Sequence, residues 1–187
     1  MQHQTYKMNI IISFLLLIIS SNALASAILQ FPKLKCSTGT LQLNIVDVSF
    51  CPLTSNLERI NFLGLSEQTV TILSNGEELT IGLNPPDISI SNLHKKFNLT
   101  VHEFFLSLYE GTLKTDNLVL IKEAFDIDKS NKMKVYKKGN LFAFTITGSN
   151  AEYDRIYLNK IDNDVIYQIT GEFDEKGVLD ILSRIEY

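Results

Sequence analysis

Alternating apolar and polar positions predict a β-hairpin in the stretch TVTILSNGEELTIGL at 69–83. Asn75-Gly76 lies at its centre, and this dipeptide is the strongest short signal for a two-residue hairpin turn. With that turn, Ile72 faces Leu79, and the apolar side chains of both strands point to one side. The turn chemistry and the alternation therefore predict the same register.

Apolar residues at helical spacing predict a helix that begins at Thr100 and ends before Gly111. Thr100 and Glu103 have the spacing of a capping box, and glycine is a typical residue just beyond a helix end. Patterns of the same kind predict helices over 116–125 and 174–184. In the second of these segments, the apolar residues recur at i, i+3, i+4 and i+7, namely Val178, Ile181, Leu182 and Ile185.

The segment TSNLERINFLG at 54–64 also predicts a short helix. Ser55 and Glu58 have the spacing of a second capping box. Leu57 and Ile60 are three residues apart, which places them on one face of a helix.

Aromatic and β-branched residues are concentrated in the last third of the chain and predict an antiparallel meander. Its strands are expected at 141–147, 155–159 and 165–170, with a turn at Asp162-Asn163-Asp164 between the last two. The order of hairpin, two helices, meander and C-terminal helix predicts an α+β fold, with an antiparallel sheet and flanking helices.

The start of the chain has the layout of a secretory signal peptide. An apolar run from Ile10 to Ile19 follows a basic start and precedes the small residues SSNALASA. The run is shorter than the roughly 20 apolar residues that a membrane span needs. We therefore expect residues 1–27 to be removed after Ala25 or Ala27, which leaves a single α+β domain at 28–187. That domain is expected in the periplasm or outside the cell, with no stable membrane anchor.

Cys36 and Cys51 are the two cysteines of the chain, and their chemistry depends on the compartment. A structural metal site normally has four ligands at close spacing, and the sequence contains no C-x-x-C motif. A catalytic cysteine needs a thiolate in a protected or reducing site. Because exported chains usually pair their cysteines, we predict a Cys36–Cys51 disulfide.

The same stretch predicts an N-terminal disulfide-stapled hairpin. One straight strand through 41–50 would hold its ends roughly 33 Å apart, whereas a disulfide needs Cα atoms about 5.5 Å apart. The midpoint of the two cysteines lies between Leu43 and Asn44, and nearby the apolar positions change from odd to even numbers. The chain is therefore expected to reverse at Leu43-Asn44, although Ile45 fits this register badly.

The formal net charge of −4 argues against a nucleic-acid partner. The most basic stretch holds five lysines from Lys129 to Lys138, and Tyr136 alone interleaves them. A nucleic-acid surface would offer more aromatic side chains. A solvated hairpin edge explains the lysines better, so we expect no nucleic acid among the partners.

Motifs that would carry catalytic or metal chemistry are incomplete. In HEFFL at 102–106, the second zinc-binding histidine would fall where Leu106 stands. In DIDKSNKMKVYK at 126–137, a calcium loop would need a glycine at the sixth position, where Asn131 stands, and a glutamate at the twelfth, where Lys137 stands. We therefore predict no catalytic residue, no metal site, no cofactor and no enzyme, unless separate carboxylates and a histidine meet in the folded chain.

The stretch VYKKGNLFAFTITGSNAEYDRIYLNKIDNDVIYQITGEFDEKGVLDILSRIEY resembles the closing half of the PsbP-like α-β-α sandwich family. In that family a strand pair presents aromatic residues, a further strand ends in a turn, and a helix leads into a short terminal strand. Arg184 to Tyr187 would form that strand here. The family includes small exported bacterial proteins, among them immunity proteins that neutralise type VI secretion effectors in the periplasm. The resemblance implies an α-β-α sandwich, and it transfers no functional residue.

Export, one small domain, net acidity and incomplete catalytic motifs favour a non-catalytic binding protein. We expect an immunity-type inhibitor that neutralises a toxin or effector by protein–protein binding, since acidic inhibitors use charge complementarity against a basic partner. The alternative is a cell-envelope ligand-binding or assembly factor with an apolar pocket between sheet and helices. The expected partner-binding residues lie in loops of the C-terminal meander: Glu152, Tyr153, Asp154, Asp162, Asn163 and Asp164.

Overall fold

A large sheet is the framework of the computed structural model, which describes residues 27–37, 41–64, 68–148 and 154–187. The strands are Leu29–Gln30 (β1), Leu43–Ile45 (β2), Val48–Phe50 (β3), Leu57–Leu63 (β4), Thr69–Ser74 (β5), Glu77–Asn84 (β6), Asn131–Lys138 (β7), Leu141–Gly148 (β8), Asp154–Lys160 (β9), Ile166–Gly171 (β10) and Ile185–Glu186 (β11). Eight strands form one sheet in the order β1-β7-β8-β9-β10-β6-β5-β4, and β11-β3-β2 form a small second sheet. Neighbouring strands are antiparallel, except that β1 runs parallel to β7.

The helices of the described residues are short and lie between β6 and β7 or near the C-terminus. They are Pro86–Ser89 (α1), Leu93–Lys96 (α2), Val101–Glu110 (α3), Leu118–Ala124 (α4) and Glu175–Leu182 (α5). The fold is therefore mixed α/β, with one large sheet and few helices.

Two hydrophobic clusters hold these elements together. One joins β5, β6 and β10 to the small sheet and α5, through buried side chains such as Phe50, Ile81 and Leu182. The other joins β7, β8 and β9 to α3 and its neighbours. In this second cluster, the Phe105 ring stacks on those of Phe144 and Tyr157, with centroids 5.0 and 4.9 Å apart. Burying each such ring contributes about 1.5–3 kcal/mol.

Two strong local signals produce the predicted structure. The β5–β6 turn lies at Asn75-Gly76, where both residues have positive φ, and Ile72 pairs with Leu79. Helix α3 begins at the predicted capping box. Thr100 Oγ1 accepts from the Glu103 N–H at 3.2 Å, and the Glu103 carboxylate accepts from the Thr100 N–H at 2.8 Å.

The C-terminal elements also follow the predictions. Strands β9 and β10 flank the predicted turn, and α4 lies within 116–125. Helix α5 begins after Asp174, whose carboxylate accepts from the Gly177 N–H at 2.8 Å. The chain ends in β11, which lies within the expected terminal strand and pairs with β3.

The predicted helix over 54–64 is wrong, because this segment contains β4, an edge strand of the large sheet. Ser55 and Glu58 do not cap a helix. Instead, Glu58 Oε1 accepts a hydrogen bond from the Gly76 N–H at 2.9 Å and ties the strand to the β5–β6 turn. Pairing with β5 satisfies the backbone groups on one side of β4, while its other side forms the edge of the described sheet.

A β-bulge explains why the strand looked helical. The pairing register shifts between Leu57 and Arg59, so that Glu58 is an extra residue. Residues three apart on a straight strand lie on opposite faces. The bulge returns Leu57 and Ile60 to the same face, where both pack on one hydrophobic cluster. Their spacing therefore imitated that of a helix.

Cys36 and Cys51 form the predicted disulfide, with Cα atoms 5.9 Å apart. A hairpin precedes Cys51, as expected, but the predicted reversal at Leu43-Asn44 is wrong. Strands β2 and β3 reverse at Val46-Asp47, three residues later.

The position of Cys36 explains the displaced turn. This residue lies in the irregular segment before β2, so the disulfide does not join cross-strand neighbours, and its midpoint does not mark the turn. Ile45, which fitted badly, pairs with Val48 and is buried. Val46 instead occupies the turn with φ of 57° and 57% of its surface exposed. A β-branched residue seldom adopts this backbone conformation.

The predicted signal peptide lies outside the described residues apart from Ala27, which is exposed. Among the residues that are described, the longest apolar helix falls short of what a membrane crossing requires.

Candidate binding groove

A groove opens at the end of β10 that leads into α5. One wall is the tip of the β5–β6 hairpin around Asn75, and a second is Pro52-Leu53, directly after the disulfide. Helix α5 provides the third wall with Gly177 and Ile181. These walls come from three distant parts of the chain, so the groove exists only in the folded protein.

Apolar side chains form the floor of this groove, which encloses about 220 Å³. The floor consists of Phe50, Ile72, Leu79 and Phe173. At the rim, Leu53 keeps 51% of its surface exposed. Accessible apolar surface in a concave site can receive an apolar side chain from a partner.

Three carboxylates surround the floor. Glu77 and Glu78 begin β6, and Glu172 follows β10; all three also line an adjoining hollow of about 300 Å³. They are exposed, and none forms an ion pair with another described residue. Arg184 also lines the groove, but Asp180 holds its guanidinium at 2.8 Å. The groove therefore keeps an uncompensated negative charge.

A polar network fixes the wall that follows the disulfide. The hydrogen bonds from Arg184, and then that from Lys35, hold the pKa of Asp180 below its ordinary value. The Cys51 N–H donates to the Arg184 carbonyl at 3.1 Å, and the Lys35 N–H donates to the Ser183 carbonyl at 2.7 Å. Together with the disulfide, these bonds join the beginning of the described domain to its C-terminus.

The predicted contact residues Asp162, Asn163 and Asp164 lie together at the opposite end of β10. Buried Asn159 holds their turn, because its Nδ2 donates to the carbonyl groups of Asn163 at 2.7 Å and Val165 at 2.9 Å. Asn163 Oδ1 accepts from the Val165 N–H at 2.9 Å. These hydrogen bonds fix the conformation of the turn, and the exposed Asp162 is its one carboxylate with no hydrogen bond to a described residue.

The other predicted contact residues are divided between structural roles and undescribed positions. Asp164 Oδ1 accepts from the Val101 N–H at 3.4 Å, at the start of α3. The Asp154 carboxylate accepts from the N–H groups of Gly148 at 3.2 Å and Phe173 at 3.0 Å. The two remaining predicted residues lie outside the described part of the chain: Glu152 and Tyr153.

Asp47 clamps the β2–β3 turn onto the large sheet. Its carboxylate accepts from Lys160 Nζ and from the Tyr167 hydroxyl. The bond from Lys160, and next that from Tyr167, lower the pKa of Asp47. Burial and the bond to Asp47 raise the pKa of Tyr167, so its phenol stays protonated and serves as a donor. The arrangement is that of a structural clamp.

Three of the clustered lysines have partners within the fold. Lys134 pairs with Glu175 at 2.6 Å, and Lys138 donates to the Ile185 carbonyl at 3.2 Å. Lys137 Nζ lies 5.1 Å from the centroid of a phenylalanine ring on β8. These contacts engage the lysines in packing along β7, and β1 rather than the predicted hairpin lies at this edge of the sheet.

Histidines do not complete a catalytic or metal arrangement in the groove. His94 on α2 and His102 on α3 are buried, and neither lines it. Burial lowers the pKa of His94 and of His102. Within the ranges the structure describes, no three His, Cys, Asp or Glu side chains are grouped to hold a metal ion.

No protein-family model, no curated protein and no solved structure matches this chain.

The sequence interpretation missed the groove because its parts are distant in the chain. The acidic pair Glu77-Glu78 directly after the Asn75-Gly76 turn is a local signal that could have drawn attention to this hairpin tip. Nothing local indicates that Pro52-Leu53 or α5 lies beside it. That proximity results from the disulfide and from the pairing of β11 with β3.

Proposed function

We propose that this chain is an exported, non-catalytic binding protein of the immunity type, which neutralises a toxin or effector by protein–protein binding. The acid-rimmed groove carries this proposal. Its apolar floor and its uncompensated carboxylates at Glu77, Glu78 and Glu172 are complementary to a basic segment that carries an apolar anchor.

Two physical effects would act at the groove. The carboxylates raise the rate of encounter with a basic surface through long-range attraction, which salt weakens. The floor then buries an apolar side chain of the partner, at about 25 cal/mol per Å² of apolar surface removed from water. Because the turn at Asn75-Gly76 and the disulfide hold the walls in place, little ordering would be needed on binding.

We also propose a PsbP-like α-β-α sandwich architecture and a periplasmic or extracellular location. The hydrophobic clusters that join α3 and α5 to the large sheet support the sandwich. The order of β9, β10, α5 and the terminal β11 supports the family resemblance. The Cys36–Cys51 disulfide supports an oxidising compartment.

The alternative of a ligand-binding factor receives less support from the geometry. Its pocket was expected between sheet and helices, where the rings of Phe105, Phe144 and Tyr157 pack against each other. The groove, at about 220 Å³, is smaller than the roughly 300–1,000 Å³ of typical small-molecule sites, and the adjoining hollow, at about 300 Å³, reaches only the lower end of that range.

The proposal predicts that a toxin is encoded beside this chain, and the absence of any such gene would overturn it. The purified, oxidised protein should bind that toxin at a defined stoichiometry, with a Kd in the micromolar range or tighter that weakens as salt is raised. Co-production should restore the growth of cells that make the toxin. Absence of both binding and rescue would overturn the proposal.

The groove is tested separately from the overall charge. The triple variant Glu77→Lys, Glu78→Lys, Glu172→Lys should weaken binding by at least a hundredfold. A matched variant makes the same charge change at exposed carboxylates outside the groove, namely Asp87→Lys, Asp116→Lys, Glu123→Lys. If both variants weaken binding equally, net charge rather than the groove governs recognition.

A further inference from the structure

His94 is a buried imidazole to which no described residue forms a hydrogen bond. The residue is 1% exposed, and neither Nδ1 nor Nε2 has a partner among the described residues. Buried polar groups are almost always hydrogen-bonded, and one that is not costs about 1–3 kcal/mol. A second proton would place a full charge in this site, at a much higher cost.

The backbone of residues 85–99 forms its described hydrogen bonds within the segment rather than with the strands of the sheet. Helices α1 and α2 have four residues each, and Ser91, Asn92 and Asn98 all have positive φ. The His94 carbonyl accepts the N–H groups of Phe97 and Leu99 and so joins α2 to the start of α3. Burial of apolar side chains such as Ile90, rather than a long helix, keeps residues 85–99 in place.

Few charges face the imidazole. Asp164, from the β9–β10 turn, favours its charged form, and the adjacent Lys95 on α2 opposes it. Helix α3 contacts α2, and its titratable groups His102 and Glu103 interact with each other. The exposed Asp164 is therefore the main neighbouring group that could partner an imidazolium.

We propose that residues 85–99 form an acid-sensitive latch, which opens when His94 takes up a proton. Opening gives the imidazolium access to water, whereas in the closed state no described residue hydrogen-bonds to either nitrogen. This device does not depend on the proposed function, because it rests only on the burial of His94 and on the segment that carries it.

The direction of the pH effect follows from proton linkage. Burial holds the pKa of His94 in the closed state below its ordinary value of 6.5. Below about pH 6.5 the open state therefore binds more protons than the closed state, so acid favours opening. For one histidine, the opening equilibrium can change by up to tenfold per pH unit.

Hydrogen exchange of the full folded protein between pH 7.5 and 5.0 tests the latch. After correction for intrinsic exchange, the protection of amides in 85–99 should fall below pH 6.5 by up to tenfold per unit, while β8 amides stay protected. Protection of 85–99 that does not change with pH overturns the proposal. So does an NMR titration in which His94 ionises near pH 6.5 while these amides remain protected.

Two variants identify the responsible group. His94→Gln cannot be protonated and should remove the pH dependence of protection in 85–99, whereas His102→Gln should retain it. A His94→Gln protein that keeps the full pH dependence refutes the proposal. If His94→Gln does not fold, Asp164→Asn replaces it. That change removes the favourable neighbouring charge, so acid should open the latch at least as strongly as in the wild type; weaker opening contradicts the idea.

Discussion

The two ends of β10 carry negative charge in different ways. At the β9–β10 turn, the Asn159 amide and the backbone bind most polar atoms, and Asp164 is bonded to α3. At the groove, Glu77, Glu78 and Glu172 have no ion-pair partner among the described residues, and they surround an apolar floor with the exposed Leu53 at its rim. The six residues of β10 separate these ends by roughly 20 Å.

This difference shows why exposure and charge alone do not identify a binding surface. A partner at the turn would gain mainly the exposed Asp162 and the neighbouring side chain of Ile161, which is 39% exposed. A partner at the groove would gain three uncompensated charges and could also bury apolar area, which provides most binding energy. The two ends can be separated experimentally, because different interactions hold them in place.

Removal of the disulfide should have the largest effect, and mainly at the groove. The double variant Cys36→Ser, Cys51→Ser loses the cross-link over a sequence separation of 15, which costs about 3 kcal/mol in the chain-entropy model. Urea unfolding at neutral pH would measure this loss. Hydrogen exchange should show lower protection near Pro52-Leu53 than in the wild type, with little change at 159–165. Equal changes at both ends would mean that the disulfide does not specifically support the groove.

The Asp47 clamp should have the next largest effect, at the turn end of the sheet. Asp47→Ala leaves the buried Tyr167 hydroxyl and the mostly buried Lys160 amine without their carboxylate. We expect a loss of about 2–3 kcal/mol in the free energy of unfolding. Asp162→Ala is the matched control, because that carboxylate has no described partner, and it should change stability by less than about 0.5 kcal/mol. A similar loss in both variants would contradict the clamp.

The local sequence was enough to predict the elements whose turn or cap depends on neighbouring residues. Asn75-Gly76 formed the expected turn, and Thr100 with Glu103 formed the expected capping box, because each depends on residues within four positions. Predictions failed where distant residues decide. The β2–β3 reversal places Val46 in an unfavourable conformation, and the bonds of Asp47 to Lys160 and Tyr167, 113 and 120 positions away, accompany that turn.

The candidate site shows the same limit. The sequence correctly placed Asp162, Asn163 and Asp164 in one turn, since Asp and Asn favour turns. It could not reveal that Asn159 would hold this turn, nor that Glu172 would meet Glu77 across two paired strands. The bulge in β4 likewise depends on pairing with β5, which no short window contains. Local patterns therefore predicted elements, while tertiary contacts determined the site.

Asn159 should have a moderate effect that is confined to the turn. Asn159→Leu keeps similar volume but leaves the Asn163 and Val165 carbonyl groups without their side-chain donor. We expect a loss of about 1–2 kcal/mol and faster hydrogen exchange in the turn. Binding at the groove should be unchanged. Loss of binding without loss of stability would show that the partner binds at the turn, as the sequence analysis predicted.

The groove carboxylates should have the smallest effect on stability, and one of opposite sign. The triple variant Glu77→Gln, Glu78→Gln, Glu172→Gln removes like charges that have no compensating cation, so thermal unfolding should show a gain of a few tenths of a kcal/mol, within about 0.5. Toxin binding should weaken at the same time, which is the trade-off expected when charges are kept for function. The same amide changes at Asp87, Asp116 and Glu123 should leave binding intact. A stability loss above about 1 kcal/mol would mean that the groove carboxylates stabilise the fold. Their negative charge would then have a structural role, and it would no longer set the groove apart from the β9–β10 turn.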